Sequence, residues 1–252
     1  MKIKISRDAR PQVRTLLIAA AITVALWFIP YAEILTYPFR IFVTFIHEGG
    51  HAVAALLTGN SVESLSVAMN ASGETYTTKG GLISQVLVSS AGYIGATAYG
   101  VLLLFLIRRA IAARVVLVGS AALILALTIG YGLWSPFTIA AGILLSLGLV
   151  AIAKYAGPRV ATFFVSFLAV QCVLNALLDL KTVFFLSSPF APTVPTDAMN
   201  MANATGIPAM FWAIIWIGIS FLLLSMAMRF YAISRHQKAT QQDLPFEEPL
   251  EV

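Results

Sequence analysis

The sequence predicts an all-α polytopic membrane protein with six to seven transmembrane helices and one small β-hairpin after the second of them. Composition is the first ground. Hydrophobic residues make up 59% of the chain and charged residues 11%, with a mean hydropathy of +0.88, whereas an ordinary soluble domain carries about 25% charged residues. The second ground is the run of apolar segments, each close to the roughly 20 residues that a helix needs to cross a bilayer: 15–34, 39–57, 81–107, 115–133, 137–153, 160–186 and 208–228. The net charge of +5 is scattered over their ends, without the basic and aromatic interleaving of a nucleic-acid surface, so the medium is lipid and nucleic acid is not a partner.

Taken in order, residues 1–14 are a basic segment with Lys2, Lys4, Arg7, Arg10 and Arg14. No small-x-small cleavage site follows the first apolar run and more spans come after it, which favours an uncleaved anchor over a signal peptide. The same charges favour a cytoplasmic N-terminus. Strict alternation of seven spans, however, puts Arg108, Arg109, Arg114, Lys154, Arg159 and the basic stretch 229–238 on the other side.

The second run carries His47-Glu48-Gly49-Gly50-His51, where a carboxylate and two imidazoles are costly to desolvate and need a partner. Residues four apart share a helix face, so His47 and His51 can present two ring nitrogens to one zinc ion while Glu48 points beside them at a metal-bound water. Two imidazoles leave such a site one protein ligand short, because a catalytic zinc takes three and keeps a fourth position open. Glu48 would act as general base and then acid as water attacks a carbonyl. With a single such set and one cysteine in the chain, one ion per chain is expected.

Between the second and third runs, residues 62–69 alternate polar with apolar, 70–73 have turn chemistry, and 74–78 are rich in Thr and Tyr. A β-hairpin fits this pattern, and its edge strand could pair with an extended peptide. Gly92, Gly95, Ala96 and Gly100 give the third run a small-residue packing face. The sixth run holds Cys172, expected to be a packing residue, and then Asn175 and Asp179 on one face.

Asp179 is the one aspartate inside an apolar run, which makes it the first candidate for the third ligand. Its run and that of the histidines cross the membrane in the same sense, and counting residues to each run's end puts the groups within roughly 5 Å in depth. Asn175, one turn earlier, could steer that carboxylate or donate to a developing oxyanion. Asp197 is the competing ligand, although Thr196-Asp197-Ala198 also reads as a helix N-cap. The membrane domain is thus expected over 15–233, with a polar, disordered tail over 234–252 that includes His236.

These residues resemble the site-2 protease family of intramembrane zinc metallopeptidases. That family carries a His-Glu-x-x-His helix, matched by His47, Glu48 and His51, and a later membrane Asp with an upstream Asn, matched in kind by Asp179 and Asn175. Asp197-Ala198 followed by Thr205-Gly206-Ile207-Pro208 is similar to the compact bacterial branch without PDZ or CBS domains, and the resemblance covers roughly residues 38–215. Asp179 departs from the family in being followed by Leu180 and Lys181 where a Gly is usual. The resemblance implies a zinc metalloendopeptidase of a bacterial cell membrane, acting on membrane-spanning or membrane-anchored proteins or peptides. Two other readings stay open on the residues: an inactive metal-binding scaffold or regulator of the same fold, and a transporter that uses the buried charges as an ion path.

Overall fold

The computed structural model describes residues 10–26, 28–109, 111–187 and 195–232; most of the basic N-terminal segment and the whole acidic tail lie outside them. Eight helices and a two-stranded sheet follow one another: α1 Arg10–Leu26, α2 Glu33–Leu57, β1 Val62–Val67, β2 Gly73–Thr77, α3 Leu82–Arg108, α4 Ala113–Tyr131, α5 Pro136–Tyr155, α6 Pro158–Leu186, α7 Asp197–Thr205 and α8 Ala209–Ala232. Five of them, α3, α4, α5, α6 and α8, are long and apolar enough to cross a membrane. α2 is as long, at 25 residues, but Glu33, Arg40 and the His-Glu cluster interrupt its apolar character; the apolar part of α1, Val13–Leu26, is shorter. The protein is therefore the polytopic, all-α membrane protein that its composition predicts.

Local chemistry sets the boundaries. α5 begins where Ser135 accepts from the backbone N–H of Thr138 and Pro136 supplies a pre-set first turn. Pro158 opens α6 in the same way, and Gly206, at φ +75°, closes α7 in the left-handed region. Large apolar side chains such as Leu144, Leu147, Phe221 and Leu222 point outward, the inverse of a soluble surface and the arrangement a lipid solvent permits.

α2 and α3 form the central antiparallel pair. They approach so closely that a Cβ at Gly50 would collide with the carbonyl oxygen of Ala91. α6 packs chiefly on α3, where Gly100 fits against Ala169, Cys172 and Val173, while α6 meets α2 only through fewer contacts such as Phe39 with Phe167. Cys172 is fully buried there, in the packing role expected of it. α7 lies across α3 and α8.

The hairpin does not stay at the surface. It turns back from the end of α2 and runs beside that helix, antiparallel in itself, with Leu65 opposite Thr75 and Val67 opposite Gly73. Its tip is tied down along α2: Tyr37 donates to the carbonyl of Met69 at 2.7 Å and Thr44 to that of Ala71 at 2.8 Å. From the other side the Thr138 hydroxyl meets both the N–H and the carbonyl of Val67. Non-helical backbone beside a membrane helix is tolerated where protein covers it or where it lines an aqueous cavity. Both apply here: Leu65 and Val67 are buried, while residues 73–78 line a cleft of about 830 Å³.

Candidate metal centre

At the floor of that cleft, α2 presents His47 and His51 one turn apart, as their spacing requires. Their Nε2 atoms stand 3.1 Å from each other. Asp197 Oδ2 lies 3.2 Å from the first and 3.3 Å from the second, so three ligand atoms close a nearly equilateral triangle. Among the described residues this is the one group of His, Cys, Asp or Glu that could hold a metal ion. The ring of His51 is oriented by its other nitrogen, Nδ1, which donates to the carbonyl of Val88 at 2.7 Å and leaves Nε2 to face the triangle.

Room for an ion is built into α3. A Cβ at Gly92 would run into Nε2 of His47 and the ring of His51, so the missing side chain keeps the convergence point of the two imidazoles open. Beside it, Glu48 is only 4% exposed. Its Oε2 accepts from the Thr75 hydroxyl at 2.7 Å, and Gly73, which lacks a Cβ, passes directly over its Oε1. Strand β2 thus lies on the carboxylate of Glu48. The Tyr93 ring packs edge-on against His47, with centroids 4.5 Å apart.

The third corner differs from the first expectation. Asp179, expected to complete the set, lines the cleft without joining the triangle, and the corner is filled by its rival, Asp197. The reason is lateral. α6 packs chiefly on α3 and meets α2 less, and its Asp179 lines the cleft outside the triangle. Asp197 arrives instead from α7. Thr196 is the residue that caps this helix, accepting from Met199 N–H at 3.2 Å, and Asp197 at the first helical position is left free to face the histidines. α7 is not a membrane span. Burial would push the Asp197 carboxyl up, yet the rings of His51 and His47 hold it well below the usual carboxylate range.

Asn175 also lines the cleft, but its amide nitrogen donates to the carbonyl of Gln171 at 2.9 Å and to its side-chain oxygen at 3.0 Å. That nitrogen is engaged along α6. In the sequence Thr75 is one of several hydroxyl residues of the hairpin, and Gly92 one of several small residues on a packing face. A hydroxyl in a hairpin and a glycine in a membrane helix carry no functional signal until the fold sets them on Glu48 and His47.

The comparison that bears on this geometry is with protein families. A family model described as Peptidase M50B-like matches residues 16–227. The chain belongs to the Peptidase M50B-like family. This is a family of membrane-embedded metallopeptidases within the site-2 proteases, in agreement with the resemblance carried by His47, Glu48 and His51. The match takes in α2, the hairpin and α7, so His47, Glu48, His51 and Asp197 all lie inside the matched region. No curated protein and no solved structure matches the chain.

Proposed function

We propose that this M50B-like protein is a zinc endopeptidase that cleaves membrane-spanning or membrane-anchored peptides, with His47, His51 and Asp197 as the zinc ligands and Glu48 as the general base and acid. The triangle of ligand atoms carries the reading. Ligands held tetrahedrally at zinc's usual bond lengths stand about 3.3 Å apart, and the three separations here are 3.1, 3.2 and 3.3 Å. Two imidazoles and one carboxylate also form a donor set suited to a catalytic zinc with an open position. When bound, the ion would polarise the scissile carbonyl and make water a better nucleophile.

The remaining chemistry belongs to the chain. Glu48 takes a proton from the attacking water and returns it to the leaving nitrogen as the C–N bond breaks, so no net proton is gained or lost by the protein. Water reaches this depth because the cleft is lined by polar groups, among them Asn70, Thr77, Gln85 and Asn200. Strand β2 borders the cleft and offers an edge to which an extended substrate segment could add. Pairing of that kind would compensate the substrate for the helical hydrogen bonds it gives up on unwinding, since those bonds otherwise shield its peptide groups.

The test is cleavage of a quenched-fluorescent apolar peptide of about 20 residues, interrupted centrally by Asn-Gly, in detergent micelles containing the purified protein. Cleavage that stops on chelation, returns with zinc and is lost in Glu48→Gln supports the reading. Cleavage by Glu48→Gln at the wild-type rate would refute the role of Glu48.

A further inference from the structure

One polar group at the centre is used neither by metal binding nor by proton transfer. Tyr93 follows Gly92 on α3, is 8% exposed and lines the cleft. Its ring packs against that of His47, centroids 4.5 Å apart, and against that of Trp216, centroids 5.6 Å apart. Trp216 is itself fixed, fully packed and donating from Nε1 to Ser90 at 3.0 Å. The Tyr93 hydroxyl is not sealed in the core: among the described residues no group pairs with it, and it opens on the cleft. Tyr93 lines the same cleft as Glu48, Asp179 and Asp197.

A phenol held by its ring and open on the cleft, beside the candidate ligands, is placed to donate to a charge that develops only during reaction. We propose that Tyr93 is a catalytic residue whose hydroxyl donates to the carbonyl oxygen of the scissile peptide as that oxygen becomes negative. The inference rests on the reading of Glu48 and of the His47, His51 and Asp197 centre given above. As the water oxygen bonds to the carbonyl carbon, the π pair moves onto the carbonyl oxygen and the water proton goes to Glu48. Tyr93 keeps its own proton and lends a hydrogen bond to the oxyanion. When the C–N bond breaks, that pair re-forms the carbonyl and the proton held by Glu48 passes to nitrogen. The amide nitrogen of Asn175 is instead engaged by Gln171, through its backbone carbonyl and its side-chain oxygen.

Tyr93→Phe keeps the ring, and with it the packing on His47 and Trp216, and removes only the donor. The test uses cobalt(II) in place of zinc, with visible absorption as the readout and two probes: azide, which needs only the metal, and the phosphinic analogue of Ala-Ala, whose tetrahedral anion mimics the reacting carbonyl. Tyr93→Phe should hold cobalt and bind azide as the wild type does, while its affinity for the phosphinate falls about tenfold or more, as expected for loss of a hydrogen bond to a charged group. On the fluorescent peptide its kcat should fall about 10²- to 10³-fold at nearly constant KM. Equal phosphinate affinity in the two proteins, or no binding to either, overturns the proposal. A wild-type protein that takes up no cobalt, or keeps it after His47→Ala, instead breaks the underlying reading of the metal centre.

Discussion

At the scale of single residues, the three that share one helical turn and its neighbour were legible, because periodicity alone places His47 and His51 on one face with Glu48 beside them. The third ligand was not. Counting crossings speaks only to the depth of Asp179, and depth says nothing of which helices touch; α6 packs chiefly on α3. The assignment of Asp197 leads to a metal analysis of three variants in parallel. His47→Ala and Asp197→Asn should lose most of their zinc, since a missing imidazole or a neutral amide leaves two good ligands. Asp179→Asn should keep it, because its carboxylate lies outside the triangle. The opposite result for the two aspartates would return the ligand role to α6. Glu48→Gln should retain zinc and lose about 10²- to 10⁴-fold in rate, as the amide fills the same space but cannot accept the water proton.

At the scale of elements, the apolar runs match the ends of α3, α4, α5 and α6 to within about two residues, whereas α1 spans Arg10–Leu26 and α2 begins at Glu33, within the end of the first run. The hairpin's strands were legible from alternation and turn residues. Its place was not, because alternation fixes which residues share a face and not what that face meets. Packed beside α2, the hairpin delivers Thr75 to Glu48 and depends on Thr138 of α5 for anchorage. Thr138→Val would leave the buried N–H and carbonyl of Val67 without their side-chain partner, at about 1–3 kcal/mol for the pair. The expected result is a lower unfolding midpoint in detergent with zinc content unchanged, since no ligand is touched. α3 makes a sharper prediction. Gly92→Ala adds one methyl group at the point where the two imidazoles converge, and it should abolish zinc binding although every ligand is present. Full zinc occupancy in a folded Gly92→Ala protein would show that the ion sits elsewhere.

At the scale of the whole molecule, the apolar interior falls into two parts. The larger is built from α1 to α6 with Leu65 and Val67 of the hairpin; the smaller joins Tyr93 and the end of α6 to α7 and α8. The histidines belong to α2, whose apolar face lies in the first part, while Asp197 opens α7, whose buried Ala198 and Met201 belong to the second. A zinc ion held by all three would therefore fasten α7 to α2, two elements that share little apolar contact of their own. A ligand that binds only the native arrangement stabilises it by mass action, by about 2.7 kcal/mol at a hundredfold excess over its dissociation constant. That stabilisation should be local before it is global, because α4 and α5 pack chiefly on each other and supply no ligand. Hydrogen exchange on zinc-loaded and chelated protein in the same detergent measures this difference. Chelation should speed exchange in residues 196–206 and around Glu48 and β2, and leave the backbone of α4 and α5 as slow as before. Uniform acceleration across all the helices would mean that the ion supports the fold as a whole. No change in α7 would mean that Asp197 does not bind it, whatever the static distances suggest.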